Sequence, residues 1–356
     1  FGCVLRITMS SPTPLKFLMP GYFSVVMGLA GLTLAWHNAA GVLGEMADGI
    51  ALVLGLLSAI VFGVLLVASW LRWQRYPAAL ADDLKHPVRH AFIAALPVSL
   101  LLMATVGVAL GGAAEPLGPV WNALWWAGSL GQLWATVWVL GRWLAPAAAA
   151  QPGAGGASGL WPSVTPVLLI PVVGNVVAPL AGLPLGIDGW SAAQMGIGLF
   201  FWPVVLTLVL ARRLAHSPLP ERVLPAWFIT IAPPAVIGLV LIQMQAPVAA
   251  VQALWGVALF FVLWLLPVVR RIAGQPFGVP FWALSFPFAA FTTLTLRLAE
   301  LQPDSAWHGV LQNAGVLLLA STTMIVLWLS FATVRGLREG SLLAPEPVAN
   351  IIPVSA

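Results

Sequence analysis

Five histidines, His37, His86, His90, His216 and His308, are the side chains of this sequence best suited to proton transfer or metal ligation. All five fall at the ends of long apolar runs or between them. No HExxH, GxSxG or glycine-rich phosphate loop is present, and no two aspartates pair within an apolar run. Zinc needs several converging nitrogen, sulfur or oxygen ligands, and the chain offers no such cluster. The single cysteine, Cys3, excludes a disulfide framework and a cysteine metal cluster. Neither catalysis nor a cofactor or metal is therefore expected. Proton-driven pumps commonly relay protons through buried acids or histidines, and the middle of each apolar run lacks them. A passive or electrically driven path for a solute fits better. Two residues remain of interest: Asn175, an amide within a run, and Phe286, an aromatic beside Pro287 in "FWALSFPFAAFTTLTL".

The elements that must position them follow from composition. Charged residues are 7% of the 356-residue chain and apolar ones 60%, against about 25% charged in ordinary soluble domains. So few charges cannot cover a water-soluble surface, and the alternating apolar runs and polar breaks indicate a polytopic helical membrane protein. Ten runs have the roughly 20 residues needed to cross a bilayer: 20–38, 50–71, 91–110, 120–141, 165–183, 190–211, 225–243, 248–269, 278–297 and 309–333. They group into five hairpins, a loose repeat.

The basic residues test this topology independently. With the N-terminus in the cytoplasm, 14 of the 15 Lys and Arg fall in cytoplasmic segments, and only Arg297 falls outside. Both termini are then cytoplasmic. The formal charge of +4 follows from orientation and needs no nucleic-acid partner. Trp36, Trp70, Trp73, Trp121, Trp143 and Trp307 sit near run ends, as an interfacial belt does. The expected organisation is a disordered N-terminal extension over 1–14, a ten-helix domain over 15–335 and a cytoplasmic tail over 336–356. Met9 reads as the natural start, no cleavable signal peptide is evident, and 145–162 reads as a flexible Ala/Gly/Pro linker.

Prolines single out alternate runs. Pro97, Pro171, Pro179, Pro233, Pro234 and Pro287 lie in the third, fifth, seventh and ninth, while Pro203 and Pro267 lie in the sixth and eighth. Freed backbone groups are tolerated at membrane depth only against protein or a water-filled cavity. The odd runs are therefore the expected inner ring. Small residues recur at helical spacing on the same runs: Gly21, Ser24, Gly28, Gly31 and Ala35 in the first, and Pro171, Gly174, Asn175, Ala178 and Gly182 in the fifth. In the ninth, Ala283, Phe286, Ala290 and Thr293 form the stripe, opposite Leu284, Phe288, Phe291 and Leu298. Spacing alone leaves two readings open, close helix packing or a pore wall. The second run carries such a stripe too, in Gly55, Ala59 and Gly63. Ser24, Gly28, Pro97, Pro171, Asn175, Pro233, Pro287, Ala290 and Thr293 are the candidate pore-lining residues. Asn175 serves equally as an interhelical hydrogen-bond partner, and Phe286 as core or as plug.

Five blocks in register carry a family resemblance: "PGYFSVVMGLAGLTLAW" at 20–36, "LKHPVRHAFIAALPVS" at 84–99, "TPVLLIPVVGNVVAPLAG" at 165–182, "LPERVLPAWFITIAPPAVIG" at 219–238 and the ninth-run block at 281–296. Over about residues 15–335 the chain resembles the bacterial tellurite-resistance/C4-dicarboxylate transporter family, related to the slow-type anion channels of plant guard cells. The resemblance implies ten helices as five hairpins around a neutral central pore, a homotrimer with one pore per protomer, and a place in the cell inner membrane. It also implies that Phe286, in the "FP" motif, occludes the pore. The expected function is passage of small anions, either C4-dicarboxylates such as malate or halide and nitrate. The alternatives are an exporter conferring tellurite or sulfite resistance, or a non-transporting membrane scaffold. A basic cytoplasmic rim of Arg89, Arg212 and Arg213 reads either as orientation alone or as a device that concentrates anions.

Overall fold

The computed structural model describes residues 14–114, 116–144, 161–215 and 219–344. The expectations for Met9 and His216, and nearly all of those for 1–14, the 145–162 linker and the last residues of the tail, lie outside the described residues. Among the described residues all regular structure is helical. Ten principal helices follow the ten apolar runs: α1 (Ser24–Asn38), α2 (Glu45–Arg75), α3 (Ala95–Gly111), α4 (Gly118–Gly141), α5 (Leu169–Val177, extended by Pro179–Gly182), α6 (Asp188–Ala215), α7 (Ala232–Gln243), α8 (Val248–Ala273), α9 (Ser285–Glu300) and α10 (His308–Arg338). Among the described residues, seven helical segments are long and apolar enough to cross a membrane: α2, α6, α8 and α10, and the segments Arg89–Gly111, Glu221–Gln243 and Val279–Glu300 that contain α3, α7 and α9. Of the other three, α1 and α5 are short, and α4 is diluted by Trp121, Trp125, Trp126, Trp134 and Trp138. The helices α2 and α10 run 31 residues each. They outlast the apolar stretches at 50–71 and 309–333 because their backbones continue into charged ends.

Pro179 interrupts the fifth helix at Ala178, where Leu169–Val177 gives way to Pro179–Gly182, whereas the other odd-helix prolines fall near the start of their α segments. Each odd helix opens as a 3₁₀ turn and then widens to α: Pro20–Phe23 before α1, Arg89–Ala94 before α3, Pro166–Leu168 before α5, Glu221–Ile231 before α7 and Val279–Leu284 before α9. Pro97, Pro171, Pro234 and Pro287 each occupy the third residue of the α segment that follows. A proline there has no N–H for the carbonyl four residues back and crowds it. The tighter i to i+3 pattern upstream accommodates that loss. Pro203 and Pro267, by contrast, sit inside α6 and α8.

Two layers result. In the most apolar window of each segment, 67–83% of residues are buried for those holding α3, α7 and α9, against 22–28% for α2, α6, α8 and α10. The outer layer exposes Leu52, Leu56, Phe200, Leu263, Leu317 and Met324. Glycines bring the inner helices close to one another. A Cβ at Gly28 of α1 would fall on Ser285 and within 2.9 Å of the Trp282 ring, and one at Gly238 of α7 within 2.9 Å of Leu294. The face of α9 opposite its small stripe packs as well, Phe288 stacking on Phe228 and Phe291 on Trp255.

Candidate functional site

Two cavities lie end to end within the ring of odd helices. The N-side cavity, about 40 Å³, sits where these helices begin and is walled by residues such as Ser24, Phe92, Ile170, Ile229 and Pro287. The C-side cavity, about 360 Å³, sits where they end, with Leu34, Thr105, Leu180, Gln243 and Thr293 among its walls. All of α1, α3, α5, α7 and α9, taken with their 3₁₀ openings and the turn after α5, contribute to both, and α2, α4, α6, α8 and α10 to neither. Phe286 is the one side chain common to both walls. It is 5% exposed. Its ring lies against α1, where a Cβ added to Gly31 would come within 3.1 Å of Cδ2.

The two spaces differ chemically. The N-side wall is almost wholly apolar, and Ser24 Oγ donates to the Gly21 carbonyl at 2.7 Å. The C-side wall holds Arg297, His37, Asn38, Gln243, Thr105 and Thr293. Arg297 Nη1 donates to Glu300 Oε2 at 2.8 Å, and His37 Nδ1 lies 2.8 Å from Asp48 Oδ1. A third cavity, about 680 Å³, shares Val279 and Pro280 with the N-side cavity. Its wall carries Lys16, Arg72, Arg89 and Arg222 together with Asp82 and Asp83. There the buried Asp83 carboxylate accepts from Arg72 Nη2 at 2.6 Å and Arg89 Nη1 at 2.8 Å. Among the described residues no group of three His, Cys, Asp or Glu side chains is placed to hold a metal ion.

Of the residues the sequence singled out, Ser24 and Pro287 border the N-side cavity, Ala290 and Thr293 the C-side one, and Phe286 both. Gly28, Pro97, Pro171, Asn175 and Pro233 lie outside both walls. Gly28 sits under Ser285 and Trp282, and Pro97 meets α4 near Gly131. Pro233 is buried in the first turn of α7. The Pro171 carbonyl accepts from Gln132 Nε2 at 2.7 Å, Thr136 Oγ1 at 2.6 Å and Asn175 Nδ2 at 2.9 Å, and Asn175 Nδ2 also reaches Thr136 Oγ1 at 2.8 Å. That amide therefore ties α5 to α4. Spacing could not separate these cases, because a small residue marks close approach to a neighbouring helix as readily as to a void.

Sequence reasoning missed Arg297, His37, Asn38, Thr105 and Gln243 as wall residues. For Arg297 a signal was present. It extends the stripe Phe286, Ala290, Thr293 by one more helical step, and it is the basic residue the topology left outside the cytoplasmic set.

Residues 18–334 match the family described as voltage-dependent anion channel. An uncharacterized transporter of Methanocaldococcus jannaschii, MJ0576, is 25% identical over 304 residues, which cover 78% of this chain and 82% of that protein. A tellurite resistance protein TehA homolog of Haemophilus influenzae is 24% identical, with 95% of each chain covered. The S-type anion channel SLAH2 of Arabidopsis thaliana is 23% identical over 62% of this chain, which spans 40% of that longer protein.

Proposed function

The chain belongs to the voltage-dependent anion channel family, a family of membrane anion channels and transporters rather than enzymes, and from that premise we propose that it passes small anions along the axis of its odd helices, with Phe286 as the closure. The observation that carries this reading is the shared wall: two cavities built by the same five helices meet at one aromatic ring. The apolar N-side cavity is the step of highest cost for an ion. A constriction of that kind gates by excluding water as well as by blocking the way. On this reading Ser24, Pro287, Ala290 and Thr293 line the path, while Gly28, Pro97, Pro171, Asn175 and Pro233 form the packed frame behind it. The frame matters because it fixes the ring against Gly31.

The ten helices act as ten spans in five hairpins, with both ends of the chain in the cytoplasm. The hydroxyl of Tyr22 donates to the Leu342 carbonyl at 2.6 Å, and Leu18, Tyr22 and Val279 pack with Leu342 and Leu343. That contact joins the beginning and end of the described chain, and it supports an even number of spans, which leaves both ends on one side. The basic vestibule of Lys16, Arg72, Arg89 and Arg222 then faces the cytoplasm, in keeping with the distribution of basic residues. The permeant set is halide, nitrate and small carboxylates such as malate, carried by a homotrimer in the cell inner membrane.

Anion flux into liposomes holding the purified protein tests this reading. Anion-selective flux that increases when the Phe286 ring is shortened supports it. Cation-selective flux, or none from a folded protein with or without the ring, refutes it. A second reading rests on the relative named for tellurite resistance, matched along 95% of both chains: export of a toxic oxyanion. Growth of expressing cells on tellurite separates the two.

A further inference from the structure

The C-side cavity pairs each of its basic groups with a carboxylate of the same chain. Arg297 reaches Glu300 one turn on, and His37 reaches Asp48 on α2. Glu300 is not buried for this purpose. Its side chain is 36% exposed and that of Arg297 41%, and its second oxygen lies over Gly41, 3.2 Å from where a Cβ would stand. The carboxylate thus reaches from the end of α9 to the short helix Ala40–Leu43, beside Arg297 of the 360 Å³ cavity wall. The guanidinium carries five N–H donors in a planar fork, and Glu300 is met through Nη1. The neighbouring hydroxyls are committed elsewhere: Thr105 donates to the Leu101 carbonyl and Thr293 to that of Ala289. The two amides each use one donor on a carbonyl, Asn38 on Leu34 and Gln243 on Leu180, and an amide nitrogen has two.

We propose that this cavity is an anion-exchange site, in which Arg297 receives an anion offering two oxygens, of carboxylate type, and Glu300 is the tethered carboxylate that the anion displaces. The inference rests on the reading of the odd-helix axis as the anion path, and it adds where the anion waits. Arg297 lies eleven residue steps along the helix from Phe286, about 16 Å. An anion on Arg297 therefore stands clear of the ring, with the C-side cavity between. The fork favours two oxygens presented side by side over a spherical halide. Glu300 keeps the cation neutralised when the site is empty and competes for it when an anion arrives, so the anion is held loosely enough to leave. A permeation path needs that balance.

Equilibrium binding of malate and of chloride to the purified full-length protein in detergent tests the site without any flux. Glu300→Gln is expected to tighten malate binding about tenfold, by removing the internal competitor. Arg297→Gln is expected to weaken it about tenfold or more, and the double variant to bind as weakly as Arg297→Gln. Arg297→Lys keeps the charge and loses the fork, so it should weaken malate more than chloride. Melting temperature and size-exclusion profile report folding of each variant. Malate binding unchanged in Arg297→Gln, no gain in Glu300→Gln, or no malate binding by any form overturns the proposal. Flux assays on the same preparations keep the two readings apart: binding that behaves as expected with no flux in any form counts against the channel reading alone.

Discussion

Replacing Phe286 with alanine deletes the one side chain that borders both cavities, and so should join them into a single passage. On the proposed path the ring leaves its seat against Gly31 when an ion passes. Withdrawing a buried phenylalanine from apolar surroundings costs about 1.5–3 kcal/mol, and each 1.4 kcal/mol is about a factor of ten. Truncation is therefore expected to raise anion flux by about ten- to a hundredfold. The variant should still fold. A Phe→Ala change in a filled core costs about 3–5 kcal/mol. The loss here falls toward the lower end, because open space already lies on both sides of the ring and fewer contacts disappear. The assay is chloride or nitrate uptake into proteoliposomes, with melting temperature measured on the same preparation. Phe286→Leu should give an intermediate flux, since a smaller side chain keeps part of the obstruction. Wild-type flux from a folded Phe286→Ala protein would refute the reasoning, because the ring would then obstruct nothing.

Other substitutions separate frame from path. Gly28→Ala drives a methyl into Ser285 and the Trp282 ring, an overpacking of about 1–3 kcal/mol, whereas Gly63→Ala meets nothing within 4 Å and should be tolerated; thermal melting compares them. Asn175→Ala should lower stability by about 1 kcal/mol and leave flux unchanged, since its amide bonds Thr136 and Pro171 on the α4 side. Asp83→Asn leaves the buried Arg72 without its carboxylate, at a cost of about 3–5 kcal/mol. Arg271→Gln breaks an exposed pair with Glu221 and should cost less than about 1 kcal/mol.

The helices were largely legible in the sequence because apolar runs bounded by charges leave little choice. For Val279–Glu300 the run 278–297 lies within three residues of the helix. The ends of α2 and α10 were not, since a helix that emerges from an apolar layer keeps its backbone pattern while its side chains turn polar. The proline signal was visible but its geometry was not: the residue pattern shows a missing N–H, and only the backbone shows that a 3₁₀ opening absorbs it. On α9 one stripe, from Ala283 through Thr293, borders the cavities, so spacing and cavity wall coincide there. On α5 the stripe is divided. Gly174 borders the N-side cavity yet also lies under Gln132 of α4, and Asn175 turns to the same helix. Which side of a small-residue stripe meets a void depends on the neighbouring helix, and one helix's sequence does not contain its neighbour's position.

Thiol accessibility probes whether one anion path runs along the odd helices with Phe286 across it. In a Cys3→Ser, Phe286→Ala background, Thr293→Cys puts a thiol on the C-side wall, and Met324→Cys puts one on the exposed face of α10. A charged, membrane-impermeant thiol reagent is expected to modify the Thr293→Cys protein and abolish most of its anion flux, while flux through the Met324→Cys protein is untouched. Complete modification at Thr293→Cys with undiminished flux would contradict it, for the anions would then be travelling by another route.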